Sequence, residues 1–151
     1  MGKRIATGLG VLVLGWALKF GWNIVTVEPI ESEEQSQAEW IADDDEWIAG
    51  EIANGSAAPA SGWLQQPSHG TFEGDPAQMQ ELIARFEAAG ATRVWMVGIE
   101  ELGKAQLSDT IAVELPARGP TRDRLFEAEA EFSGGDGTPD LGQNYLLLSF
   151  D

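Results

Sequence analysis

DTIAVELP, Asp109 to Pro116, alternates large apolar residues with small or polar ones from Thr110 to Leu115. Ile111, Val113 and Leu115 fall on one side of an extended chain, and Thr110, Ala112 and Glu114 on the other. The alternation predicts a strand with one face on a core, ended by Pro116, which has no N–H for a ladder. Just upstream, Thr92 to Ile99 (TRVWMVGI) is apolar, with β-branched and aromatic residues, and predicts a second strand. Glu100 to Ser108 reads as a polar connection, so the two strands form a hairpin with a long loop.

Helices flank this pair. Asp75-Pro76-Ala77-Gln78 combines a capping aspartate, a first-turn proline and a box-like glutamine. Met79, Leu82, Ile83 and Phe86 then share one helical face, and Gly90 suits a left-handed stop. Downstream, ARGPTRDRLFEAEAEF predicts a second helix anchored by Leu125, Phe126 and Phe132. SGGDGTPD is a dense turn. Asn144 to Asp151 predicts a last strand with Leu146, Leu148 and Phe150 on one face. The expected class is α+β: a small ferredoxin-like α-β-β-α-β module with an antiparallel sheet and both helices on one face. Its missing first strand is sought near Gly62 to Gln66.

DTIAVELP, the basic helix start (Arg118, Arg122, Arg124) with Leu125-Phe126, and Gly142-Gln143-Asn144-Tyr145-Leu146-Leu147-Leu148 together resemble a pattern in uncharacterised bacterial proteins, single-pass or exported. The resemblance spans roughly the last half of the chain. It implies fold and location and carries no activity.

Met1 to Val27 has the makings of an anchor. Ile5 to Leu18 bears no charge, and as a helix Ile5 to Val27 matches the thickness of a bilayer core. Trp16, Lys19 and Trp22 fall where indoles and a snorkelling amine meet the membrane interface. Ala6, Gly10 and Gly15 leave a thin flank for packing against another membrane helix. Lys3 and Arg4 precede the span and acid follows it, so the N-terminus is expected in the cytoplasm, which the resemblance implies is that of a bacterial cell. The rest then lies on the periplasmic or extracytoplasmic side of the inner membrane. A cleaved signal peptide is the rival, but Phe20-Gly21-Trp22-Asn23 is bulky where a small-x-small cleavage site belongs.

Nine Lys and Arg stand against 25 Asp and Glu, a formal net charge of −16. Such a surface repels nucleic acid and anionic lipid headgroups, and it attracts basic protein surfaces. With no cysteine, disulfides and thiolate chemistry are excluded. Residues 28–62 read as an acidic tether, with linkers at Glu28–Gln37 and Asn54–Gly62, joining the anchor to the module at 63–151. Within the tether, Glu39 to Ile52 spells Glu-Trp-Ile-Ala twice, seven residues apart. On a helix that spacing is nearly two turns, so Trp40, Ile41, Trp47 and Ile48 form one patch, either a cap on the core or a docking face for a partner. Asp44, Asp45 and Glu51 are expected to the side or behind.

Residues that could carry chemistry are few. His69 is the one histidine and sits in a Pro/Gly loop. Asp43 to Glu46 fan out around a helix and do not converge on one ion. Gly135 to Asp140 resembles a calcium loop without its closing glutamate, or a phosphatase aspartate motif with Gly134 in place of the nucleophile. No catalytic residue, metal ligand or cofactor is expected. The expected function is a non-catalytic accessory or scaffolding subunit of an integral membrane complex, whether respiratory, photosynthetic, transport or secretion. The alternatives are a free-standing membrane-anchored binding module and a carboxylate-dependent hydrolase.

Overall fold

The computed structural model of the protein describes residues 32–150. The expected transmembrane helix, with Ala6, Gly10, Gly15, Trp16, Lys19 and Trp22, lies outside them. Among the described residues no helix is long and apolar enough to cross a membrane.

The class is α+β with an antiparallel sheet. Among the described residues eleven elements follow one another: α1 (Glu33–Asn54), β1 (Ala58–Pro59), α2 (Ala60–Leu64), β2 (His69–Gly70), α3 (Pro76–Ala89), β3 (Val94–Val97), β4 (Glu100–Leu102), β5 (Ala105–Leu107), β6 (Thr110–Glu114), α4 (Pro120–Ser133) and β7 (Tyr145–Ser149). The main sheet has the order β1-β3-β6-β7, with every neighbouring pair antiparallel.

Period-two alternation gives this sheet two working faces. On one, Met96, Ile111 and Leu148 line up across three strands, as do Val94, Val113 and Leu146. They pack with Met79, Leu82, Ile83 and Phe86 of α3, Leu125 of α4, and Trp63 and Leu64 of α2. This is the predicted core, and α3 and α4 do share one sheet face. On the other face Val97 and Ala112 meet Ile48 of α1, with Trp95, Tyr145, Leu147 and Ile52 around them.

Several expectations are corrected. The helix predicted at 39–52 begins at Glu33, because Ser32 and Gln35 form a capping box, and it ends at Gly55, which takes the left-handed conformation. Part of the stretch read as linkers is therefore structured. Ala58–Pro59 is an edge strand, and Ala60 is buried at the start of α2. The strand sought at Gly62–Gln66 is instead helix and turn. Glu100–Ser108 is no plain connection either. Gly103, with φ 66°, lets β4 and β5 fold back as a second hairpin, and β2 joins it in parallel to make a small separate sheet.

The ferredoxin-like arrangement is not the one observed. A split β-α-β unit brings the strand after a helix in parallel to the strand before it. Here β6 and β7 are sequential across α4 yet adjacent and antiparallel. The reason is the loop at 134–144, which returns the chain along α4 before β7 begins. At its far end Asp140 and the Gln143 carbonyl are bonded by Arg122, in the first turn of α4. Midway, buried Glu129 accepts from the Thr138 N–H (2.8 Å) and the Ser133 hydroxyl (2.7 Å). Gly137 must be glycine there: it has φ 71°, and a Cβ would stand 2.8 Å from that of Ala130.

Ile48 joins the two sides of the sheet's second core and has 0% exposure. Ile48→Ala should cost about 2–5 kcal/mol of stability, the range for emptying a packed aliphatic site, read from urea unfolding.

Candidate functional site

Helix α1 is held to the sheet by one apolar plug and two carboxylates. Ile48 fills the middle. Three residues before it, Asp45 accepts from the backbone N–H of Asn144 (2.7 Å) and of Tyr145 (3.0 Å), and from the Asn144 side-chain amide (3.0 Å). Three residues after it, Glu51 accepts from the Gly98 N–H at 2.7 Å. Each carboxylate takes N–H groups at a strand end, which are good partners for an anion. Asp45 and Glu51 therefore face the sheet, where the sequence reading placed them to the side or behind.

This geometry divides the expected patch of four. Ile48 is core and not surface. Ile41 is half-buried on the same stripe, nearly two turns earlier. Trp40 and Trp47 fall about 100° round the helix, on the flank. Trp40 is 73% exposed and Trp47 42%. The six-membered edge of the Trp47 indole rests near Gly98, 3.7 Å from where a Cβ would be. Before Asp45, α1 continues for about 18 Å, and most side chains of that stretch are exposed, with Ser36, Ile41 and Asp44 half-buried. Burial, then repulsion from Asp43 and Asp45, pushes the Asp44 carboxyl upward.

Other candidates resolve into scaffolding. His69 stacks on Trp63, ring centroids 4.6 Å apart, and its Nδ1 lies 2.8 Å from the Trp63 carbonyl oxygen, which accepts from it. Trp63 in turn donates to Gln106 (3.2 Å), tying α2 to the small sheet. Asp43 and Glu46 are exposed, and among the described residues no cluster of histidine and carboxylates is placed to hold a metal ion. Asp140 in the Gly-rich turn is spent on Arg122. The guanidinium donates from Nε (2.9 Å) and Nη2 (2.7 Å) to the two carboxylate oxygens, and from Nη1 to the Pro116 carbonyl (3.0 Å). The Arg122 hydrogen bonds, opposed by partial burial, hold the Asp140 carboxyl down at about 2.

Asp109 was missed as well: it accepts from the N–H groups of Phe72 (2.8 Å) and Glu73 (3.0 Å) and pins the loop before α3. A signal for the α1 contacts was available. Counting from Ile48 instead of the tryptophans puts Asp45, Glu51 and Ile52 on one face. The Ser32-x-x-Gln35 box was equally legible. The chain matches no family model, no curated protein and no solved structure.

Arg122 is 4% exposed and bonds Asp140 and two carbonyls. Arg122→Met should cost about 1–3 kcal/mol, the range for losing charge-assisted hydrogen bonds, because the Pro116 and Gln143 carbonyls lose their donor while the more exposed Asp140 carboxylate can turn to water; denaturant titration measures it. The Asp140 carboxyl titrates below its unfolded value of roughly 4. Its contribution is full above that pH and disappears as pH falls toward about 2. Asp140→Asn should remove this part of the acid loss, as seen in thermal melts across that window.

Proposed function

We propose that the chain is a non-catalytic accessory or scaffolding subunit of a larger membrane protein complex, its folded part lying outside the bacterial inner membrane. The observation that carries this reading is on α1. One side of the helix is plugged and bonded into the sheet, while its flank presents two indoles to solvent. Exposed indoles on a rigid helix supply large contact area at little entropic cost, which is why tryptophan anchors protein interfaces. The surrounding acid disfavours bare anionic lipid and favours a protein with basic groups. The best-placed carboxylates (Asp45, Glu51, Asp109, Glu129 and Asp140) each accept bonds within the fold, which supports a scaffold over a hydrolase. The apolar stretch from Ile5 to Val27, preceded by Lys3 and Arg4, supports the membrane attachment and orientation.

The reading predicts that the full chain, extracted in mild detergent, co-purifies stoichiometrically with a membrane complex. Trp40→Ala combined with Trp47→Ala should reduce that recovery by at least ~tenfold while the thermal transition of the fold persists. A monodisperse chain without companions would favour the free-standing binding module instead.

A further inference from the structure

Strand β7 is an open edge of the main sheet, and the two edges are built differently. On the far side, β1 has two residues, one of them Pro59, which cannot donate to a further strand. On the near side β7 has five residues, and Leu141 to Phe150 carry no charge and no proline in a chain of net −16. The hydrogen-bond phase fixes what this edge offers. Leu115 donates to the Asn144 carbonyl and Phe150 to that of Asp109. By alternation, residues 144, 146, 148 and 150 turn their backbone groups toward β6, while Tyr145, Leu147 and Ser149 turn theirs outward. Asp45 takes the Tyr145 N–H. The N–H and C=O of Leu147 and the C=O of Tyr145 face outward, and among the described residues no strand pairs with them.

Three further features describe what fits there. α1 crosses β7 at Asn144–Tyr145, so its exposed turns stand beside the open edge as a wall. The indole of Trp47 borders Gly98, which lines one shallow groove with Ser149 at the strand's other end. Acid stands at both ends of the edge: Asp44 and Asp45 at the start, Glu73, Glu100 and Asp109 around that groove.

We propose that the outer edge of β7 accepts an extended segment of a partner protein, apolar with flanking lysine or arginine, which adds as a further strand alongside α1. This rests on the reading of the chain as a protein-binding subunit and names the partner's chemistry. Backbone pairing is what an outward N–H and C=O on one residue recognise, and carboxylates at both ends select positive charge. A second copy is disfavoured by the same charges. Antiparallel self-pairing about Leu147 sets each copy's Asp44–Asp45 end against the other's Glu73–Asp109 end.

The test uses the full chain in neutral detergent micelles and a short synthetic peptide with a valine-rich middle flanked at both ends by lysine and arginine. Binding should be saturable, should protect the Leu147 amide from hydrogen exchange, and should be absent for the glutamate counterpart of the peptide. Leu147→Pro removes an outward N–H without touching a β6 bond, and it should weaken binding at least ~tenfold. Methylating alternate backbone nitrogens of the peptide should do the same, a comparison that stands even where the proline variant fails to fold. Undiminished binding of the methylated peptide would reduce the interaction to charge alone and overturn the proposal. So would no binding, or peptide-independent protection of Leu147 that grows with chain concentration, the mark of a second copy. Tryptophan-dependent co-purification without any of these edge effects would defeat the strand addition and leave the accessory-subunit reading standing.

Discussion

The bidentate pair between Arg122 and Asp140 decides how the chain closes. An ordinary helical crossover after β6 would deliver the next strand parallel to it. Instead the loop after α4 runs back along the helix and is caught at its first turn by a guanidinium that bonds Asp140, the Gln143 carbonyl and the Pro116 carbonyl together. Tyr145 then enters the sheet antiparallel to β6, beside Glu114. A planar fork with five donors suits this junction, because one side chain joins the end of β6, the start of α4 and the start of β7. Five described residues later the strand is complete and the helix-covered core is closed on that side.

The position of α1 follows from that closure. Asp45 can bind the N–H groups of Asn144 and Tyr145 only because the loop has placed them at the rim of the sheet. With Glu51 on Gly98 and Ile48 between, α1 lies across the sheet's second face. Acid in this protein therefore does two kinds of work. Most of it keeps the surface negative, while a few carboxylates act as acceptors for strand-end N–H groups that would otherwise need water. The same docking leaves the flank of α1, with Trp40 and Trp47, and the edge of β7 facing outward together.

Legibility in the sequence varied with the range of the interaction. α3 was readable because Asp75, Pro76 and Gly90 mark its ends and four apolar residues mark its face. β3, β6, β7 and α4 were readable from alternation or from an apolar cluster between breakers. Strand order was not, since Ile111 alternates identically whichever strand stands beside it. The hairpin of β4 and β5 was hidden because Glu100, Glu101, Lys104 and Gln106 look like a loop, and pairing turns on the positive φ of Gly103. For α1 the tryptophan repeat left open whether its patch caps the core or docks a partner: a doubled motif is conspicuous, whereas Ile48, which does cap the core, with a carboxylate three residues to either side is not.

By itself the sequence determined the local elements, the α+β class, the main core face and the excess of acid, because propensity, period and capping act within a few residues. It also determined that thiolate chemistry is excluded. Tertiary structure alone decided which way β7 runs, which side of α1 is buried and which carboxylates are consumed. Those outcomes depend on partners such as Asp45 and Asn144 that meet only after the chain has closed. A carboxylate reads the same in sequence whether it faces water or accepts three hydrogen bonds.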